Sequence, residues 1–285
     1  MNDEERARAD IIEISHRIYA KGWVANHDGN LSVRVGDDRV VATPTSINKG
    51  DLRPEQLIVV DLAGKKLEGT RRGFSEFALH LAVYHARPDV RAVLHAHPPT
   101  AAGFAVAGID LDPTFMPEAV VSLGDTIPTT DFALPYGEEG AAPLAAHVQD
   151  VDVMLMANHG VIGYGPDLWT AFYRVELVEH LARIQLVARQ LGSVRRLSPD
   201  NVAVLLEKRR KAGLGPEARA AMEPPRKATA STPVAGSSAG PDLPPGPAPS
   251  AWTGEPADPG APVNVPSPEE LRRLVEQALQ RVRSG

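Results

Sequence analysis

The sequence predicts a single layered α/β domain over residues 1–215, then a disordered linker at 216–265 and an amphipathic helix at 266–285. Helical and strand periodicities alternate irregularly over the first part without an internal repeat, as in one layered domain. Composition then changes abruptly: Pro216 to Pro266 holds 13 of the 26 prolines, with abundant Ala, Gly and Ser. Finally, helical patterning returns in PSPEELRRLVEQALQRV.

The bulk numbers bound the chemistry. A chain of 285 residues fits one large or two small domains at roughly 100–200 residues each. Apolar residues at 43% and charged residues at 23% allow a well-packed core. The absence of cysteine excludes structural disulfides, Cys-ligated zinc, iron–sulfur clusters and thiol nucleophiles. Nine histidines are then the only strong nitrogen ligands for a metal. A net charge of −6 argues against a nucleic-acid partner. MNDEERARAD lacks an apolar core, so no secretory signal is expected. The longest uncharged stretch, Ala92 to Ile109, contains His95, His97, Pro98 and Pro99 and makes a poor membrane span. The expectation is a soluble, cytoplasmic protein.

Element by element, a first helix is predicted over 3–21, with Ile11, Ile14 and Ile18 on one side. Strands follow at Leu31–Val35, Val40–Ala42 and Ile58–Asp61. A helix capped by Ser75 carries Phe77, Leu81 and Tyr84 and stops before Pro88. Ala92–Ala96 reads as a strand and Thr100–Val106 as a short helix. The apolar run Val151–Ala157 reads as a buried strand. A long helix, Leu168–Leu191, offers Phe172, Val175, Val178, Leu181 and Leu186 to the core, and Ser198–Ala212 closes the domain.

The linker cannot bury enough apolar surface to offset chain entropy. In the tail, Ser267 reads as an N-cap, Pro268 as the first helical position and Glu270 as the partner in a capping box. Leu271, Leu274, Val275, Ala278, Leu279 and Val282 form one apolar stripe that requires a partner surface.

Five segments carry the chemistry. In RAVLHAHPP, alternate strand residues share a face, so His95 and His97 can reach one metal ion. MLMANHGVIG places His159 where a strand ends, a common position for functional side chains. FSEFALH puts Glu76 in the first turn of a helix, where a carboxylate also complements the helix dipole. His80, four residues on, reads as packing. GNLSVR and TPTSINKG are turn-like, with backbone N–H groups and hydroxyls suited to cradling an anion. GVIGYG has the spacing GxxGxG and is not a dinucleotide loop.

With the further segment PEAVVSLGDTIP, these motifs in this order resemble the class II aldolase/adducin family over essentially residues 3–215. The resemblance implies an α/β/α domain with a central, largely antiparallel sheet. It implies a zinc ion (Zn2+) held by His95, His97 and His159, with Glu76 beside it as occasional fourth ligand and acid/base. Zinc would act as Lewis acid on a sugar-phosphate substrate, and Glu76 would move the proton. No Schiff-base lysine is required, so Lys49 is not a nucleophile. The phosphate pocket would use Gly29, Asn30, Thr45, Ser46 and Ser75. Ser46 stands where glycine is usual, and Phe74 replaces a serine that normally precedes Ser75.

The resemblance further implies a homotetramer with sites at subunit contacts. Epimerase relatives carry aspartate at position 76, which argues against that branch, whereas dehydratase and decarboxylase branches share the glutamate. Adducin-like interaction modules lack the zinc histidines. The linker and tail resemble encapsulation peptides of bacterial microcompartment cargo. A shell protein is therefore the expected partner of residues 266–283.

Overall fold

The computed structural model describes residues 2–134, 140–216, 218 and 219; most of the predicted linker and all of the tail helix lie outside these residues. Helix α1 (Asp3–Ala20) starts at Asn2, whose side chain accepts from the Glu5 N–H while Glu5 reaches back to the Asn2 N–H. Its buried Ala7, Ile11, Ile14 and Ile18 make the apolar stripe. Strands β1 (Asn30–Val35), β2 (Arg39–Ala42), β3 (Ile58–Val60) and β4 (Lys66–Glu68) then lead into α2 (Phe77–Ala86). Next come β5 (Ala92–Ala96), α3 (Pro99–Ala107), α4 (Pro117–Leu123), β6 (Thr129–Thr130) and α5 (Ala142–Ala145). The chain finishes with β7 (Val153–Met156), β8 (Gly160–Gly165), α6 (Leu168–Leu191) and α7 (Pro199–Lys211).

One eight-stranded sheet runs in the order β4-β3-β2-β1-β5-β8-β7-β6. All neighbours are antiparallel except β6 and β7. Alternation sorts the side chains into two cores. Leu31, Leu94, Val153 and Val161 pack with Ile14 of α1, Phe104 of α3 and Val175 of α6. Val93, Met154, Ile162 and Tyr164 face the other way, with Leu79 and Val83 of α2 and Leu144 of α5. The fold is the α/β/α arrangement expected.

Register decides where polar groups meet. Asn30 pairs with His95, and Ser32 with Val93, so Asn30, Ser32 and His95 all lie on the face covered by α2. Three expectations need correction. Ser75 does not cap α2; Glu76 occupies that position without a capping bond, and Ser75 is exposed. Val151–Ala157 shortens to β7, and GVIGYG is strand β8. Packing also continues past residue 215, because Ala218 is buried and Arg219 Nη1 donates to Asp152 at 3.1 Å.

That aspartate anchors a second polar cluster. Asp152, buried between β7 and its preceding turn, receives Arg87 Nη2 at 3.0 Å and Arg174 Nη2 at 2.9 Å. Arg87 also grips Asp89 through two bonds of 2.8 Å. Arg209 of α7 lies 3.6 Å from Asp152 and donates to the carbonyl of Val121.

Candidate metal centre and active site

Three strands and one helix end bring four groups together. His95 comes from β5, His97 from just beyond it, His159 from the β7–β8 turn, and Glu76 from the start of α2. One ligand atom from each histidine lies within 4.8 Å of the others. The Nε2 atoms of His95 and His97 are 3.0 Å apart. Glu76 Oε1 lies 3.1 Å from His159 Nε2, and Oε2 lies 3.6 Å from His95 Nε2.

Local sequence makes this convergence possible. Asn158 adopts φ of 55°, a left-handed conformation that asparagine tolerates. Gly160 then starts β8 directly beneath the rings, where a Cβ would come within 2.6 Å of both the Ala96 carbonyl and His97 Cδ2. Any larger residue there displaces a histidine. NHG is therefore a steric requirement of the cluster as well as a turn.

The donor set fits a cation. His95 Nδ1 sits 3.0 Å from the Val161 carbonyl and must donate to it, which leaves Nε2 with a bare lone pair. His97 places Nε2 3.0 Å from that nitrogen and Nδ1 3.5 Å from Asp28, and its tautomer decides which contact takes the ring proton. Burial pushes His95 down to about 3, against the pull of Glu76, and so excludes a charged ring near neutral pH. Burial and the neighbouring His159 lower His97 as well. Burial alone would raise Glu76, but the hydrogen bonds it accepts from His159 and Asn30 hold the carboxyl below its usual range. The cluster offers three imidazole nitrogens and a carboxylate as ligand atoms for a metal ion.

Around it, the predicted anion-binding residues fall at the same end of the sheet. The Thr45 N–H donates to the Arg72 carbonyl at 3.0 Å, and Pro44 bridges Gly73. The TPTS turn is thereby tied to the segment just before exposed Ser75. Ser46 has φ of 59°, which accounts for glycine being usual there. Gly29 has φ of 69°, and a Cβ on it would lie 2.5 Å from Val24 Cγ1. Asn30 also makes bonds within the site. Its Nδ2 donates to Glu76 Oε2 at 2.6 Å and its Oδ1 faces His80 Nε2 at 2.6 Å, which leaves one amide hydrogen for a ligand.

Two other residues read differently in space. His80 is wholly buried and hydrogen-bonded at both ring nitrogens, to Asn30 and to Ser32, rather than merely packed. The spacing from Glu76 to His80 is visible in sequence; the β1–β5 register that inserts Asn30 between them is not. Phe74 packs edge-on against His80, with ring centroids 5.0 Å apart, and against Phe77 at 5.1 Å. Lys49 is buried and donates to the carbonyls of His27 and Ile47, each at 3.1 Å; burial pushes it down to about 8. Clefts of about 520 and 530 Å³ lie elsewhere, beside Arg209 and Tyr173 respectively.

Known proteins resemble the chain in sequence and fold. The chain is 33% identical over 194 residues to methylthioribulose-1-phosphate dehydratase of Methylococcus capsulatus, covering 62% of this chain and 91% of that one. It is 28% identical to 3-oxo-tetronate 4-phosphate decarboxylase of Pectobacterium atrosepticum, over 72% of this chain and 94% of the relative. A solved L-fuculose 1-phosphate aldolase superposes with a TM-score of 0.66 at 25% identity, over 73% of this chain and 97% of that one. Residues 9–186 match the family described as Class II Aldolase and Adducin N-terminal domain, and the chain belongs to that family.

Proposed function

We propose that the protein is a zinc-dependent aldolase cleaving a ketose 1-phosphate of the L-fuculose 1-phosphate kind. Its products are dihydroxyacetone phosphate and a small aldehyde such as lactaldehyde. The observation that carries this reading is the convergence of three imidazoles and one carboxylate within reach of a single ion. His95, His97 and His159 hold the ion, and three protein nitrogens leave a position open to substrate. A zinc ion bound there would supply Lewis acidity.

The protein's own groups do the rest. Gly29, Asn30, Thr45, Ser46 and Ser75 receive the phosphate, supported by the tie between the TPTS turn and residues 72–73. As the carbon–carbon bond breaks, the hydroxyl that becomes the aldehyde loses a proton and the released carbon gains one. Glu76 carries that proton, being ionised, partly buried and adjacent to the histidines.

A dehydratase or decarboxylase of a related sugar phosphate is the second reading, favoured by the two curated relatives above. A panel of ketose 1-phosphates with non-phosphorylated analogues, followed in both directions, separates them. Release of dihydroxyacetone phosphate and aldehyde is expected; loss of water or carbon dioxide without carbon–carbon cleavage would replace the aldolase reading.

Two assembly proposals accompany it. The chain forms a homotetramer, consistent with exposed Tyr173, Val187 and Leu191 on α6 and exposed Phe132 and Leu134. The apolar repeat within residues 266–283 directs the enzyme into a bacterial microcompartment, supported by the sequence pattern beyond the proline-rich stretch. Residues 266–283 fused to a fluorescent protein should collect with co-expressed shells; diffuse fluorescence around intact shells would reject the targeting role.

A further inference from the structure

Hydrogen-bond directions can be assigned outward from Glu76. The carboxylate only accepts, so the Asn30 group at 2.6 Å from Oε2 is the amide NH2, and Oδ1 is turned to His80. An amide oxygen only accepts, so His80 Nε2 carries a proton. Burial pushes His80 down to about 3, so the ring is neutral and holds a single proton. Its Nδ1 therefore accepts, at 2.7 Å, from the Ser32 hydroxyl. Ser32 has then spent its one hydrogen, and the Tyr84 hydroxyl 2.8 Å away must donate to it. Burial raises the Tyr84 phenol, which stays protonated. Asn30, Ser32, His80 and Tyr84 are all buried, and the Phe74 and Phe77 rings cover His80.

We propose that Tyr84, Ser32, His80 and Asn30 form a one-way hydrogen-bond chain that fixes Glu76 Oε2 as a permanent acceptor and leaves Oε1 to exchange the proton. This deepens the lyase proposal and rests on it for the role of Glu76. His80 and Asn30 are positioning residues: they select which oxygen works and hold its plane toward the histidines. Every donor points the same way, so a proton cannot be placed on Oε2 without losing the Asn30 bond or reversing the amide. Register explains the design, since Asn30 and Ser32 share the α2 face of β1.

The test has two arms. Nitrogen-15 spectra of the metal-free wild-type chain should show His80 as the neutral Nε2–H tautomer at pH 7. An Nδ1–H tautomer or a charged ring would reverse the chain and overturn the proposal. His80→Leu should lower kcat by about 10–100-fold, as loss of an orienting partner does, with KM within about threefold and bound metal unchanged. His80→Gln keeps an acceptor for Ser32 and a donor for Asn30, and should recover most of kcat. Equal impairment of both variants, or none in His80→Leu, would overturn it. The spectra need no turnover, so a wild-type chain inactive on every substrate would remove the lyase reading while the tautomer still decides the chain.

Discussion

Two buried polar clusters stand on the same sheet with opposite imbalances. Around His95 and Glu76, three imidazoles and a carboxylate converge with no lysine or arginine among them. Around Asp152, guanidinium donors from Arg87, Arg174 and Arg219 converge on one carboxylate and fill their remaining valences with carbonyls such as Val148, Tyr164 and Gln149. The arginine cluster is complete in itself. The histidine cluster, under the zinc proposal, is completed by a cation, and that difference would separate a structural lock from a reactive site.

The sharpest way to divide the two is by what each loses. Glu76→Gln keeps the shape of the site and removes its proton carrier, so turnover should fall by about 10²–10⁴-fold with the melting temperature and metal content held. Undiminished turnover would assign proton transfer to another group. Asp152→Asn should do the reverse. Breaking a buried ion pair from one side costs about 3–5 kcal/mol, read as a lower denaturant midpoint, while kcat per folded molecule stays near wild type.

A smaller effect comes from acid. Burial would raise Asp89, but the two bonds from Arg87 lower it. A carboxyl lowered in the folded state stabilises above its unfolded value, near pH 4, and loses that contribution as pH falls through the folded value. Asp89→Asn should flatten this acid limb of stability, measured by denaturation between about pH 5 and 3. The smallest expected effect is at Phe74. Replacing it with serine adds a hydroxyl beside Ser75 and removes ring packing on His80, so KM for a phosphorylated substrate should fall by less than about tenfold, one hydrogen bond's worth.

The legibility of the sequence follows the same division. Helix α6 begins and ends where its apolar spacing predicts, with Asp167 as its N-cap, and β5 matches its apolar run. The three histidines and Glu76, each flagged by a motif, lie together in space. Strand β8 escaped notice because glycines at 160, 163 and 165 carry no strand signal; Gly160 is there to let the histidine rings close. The one-residue shift at α2 arises because the Glu76 side chain is drawn to Asn30 and His159, leaving Ser75 in solvent. Neither Asp152 with its arginines nor the Asn30–His80 contact could be read from spacing, because partners up to 67 residues apart are set by strand register and helix packing. Local chemistry was written in motifs; the supporting shell was written in topology.

Metal analysis of the purified full-length chain tests the central claim most directly. The account predicts about one zinc per chain in the wild type, near zero in His95→Ala, and wild-type content in Asp152→Asn, by the ligand count of a three-nitrogen site. A metal-free wild-type protein that turns over its substrate, or full metal content in His95→Ala, would contradict it.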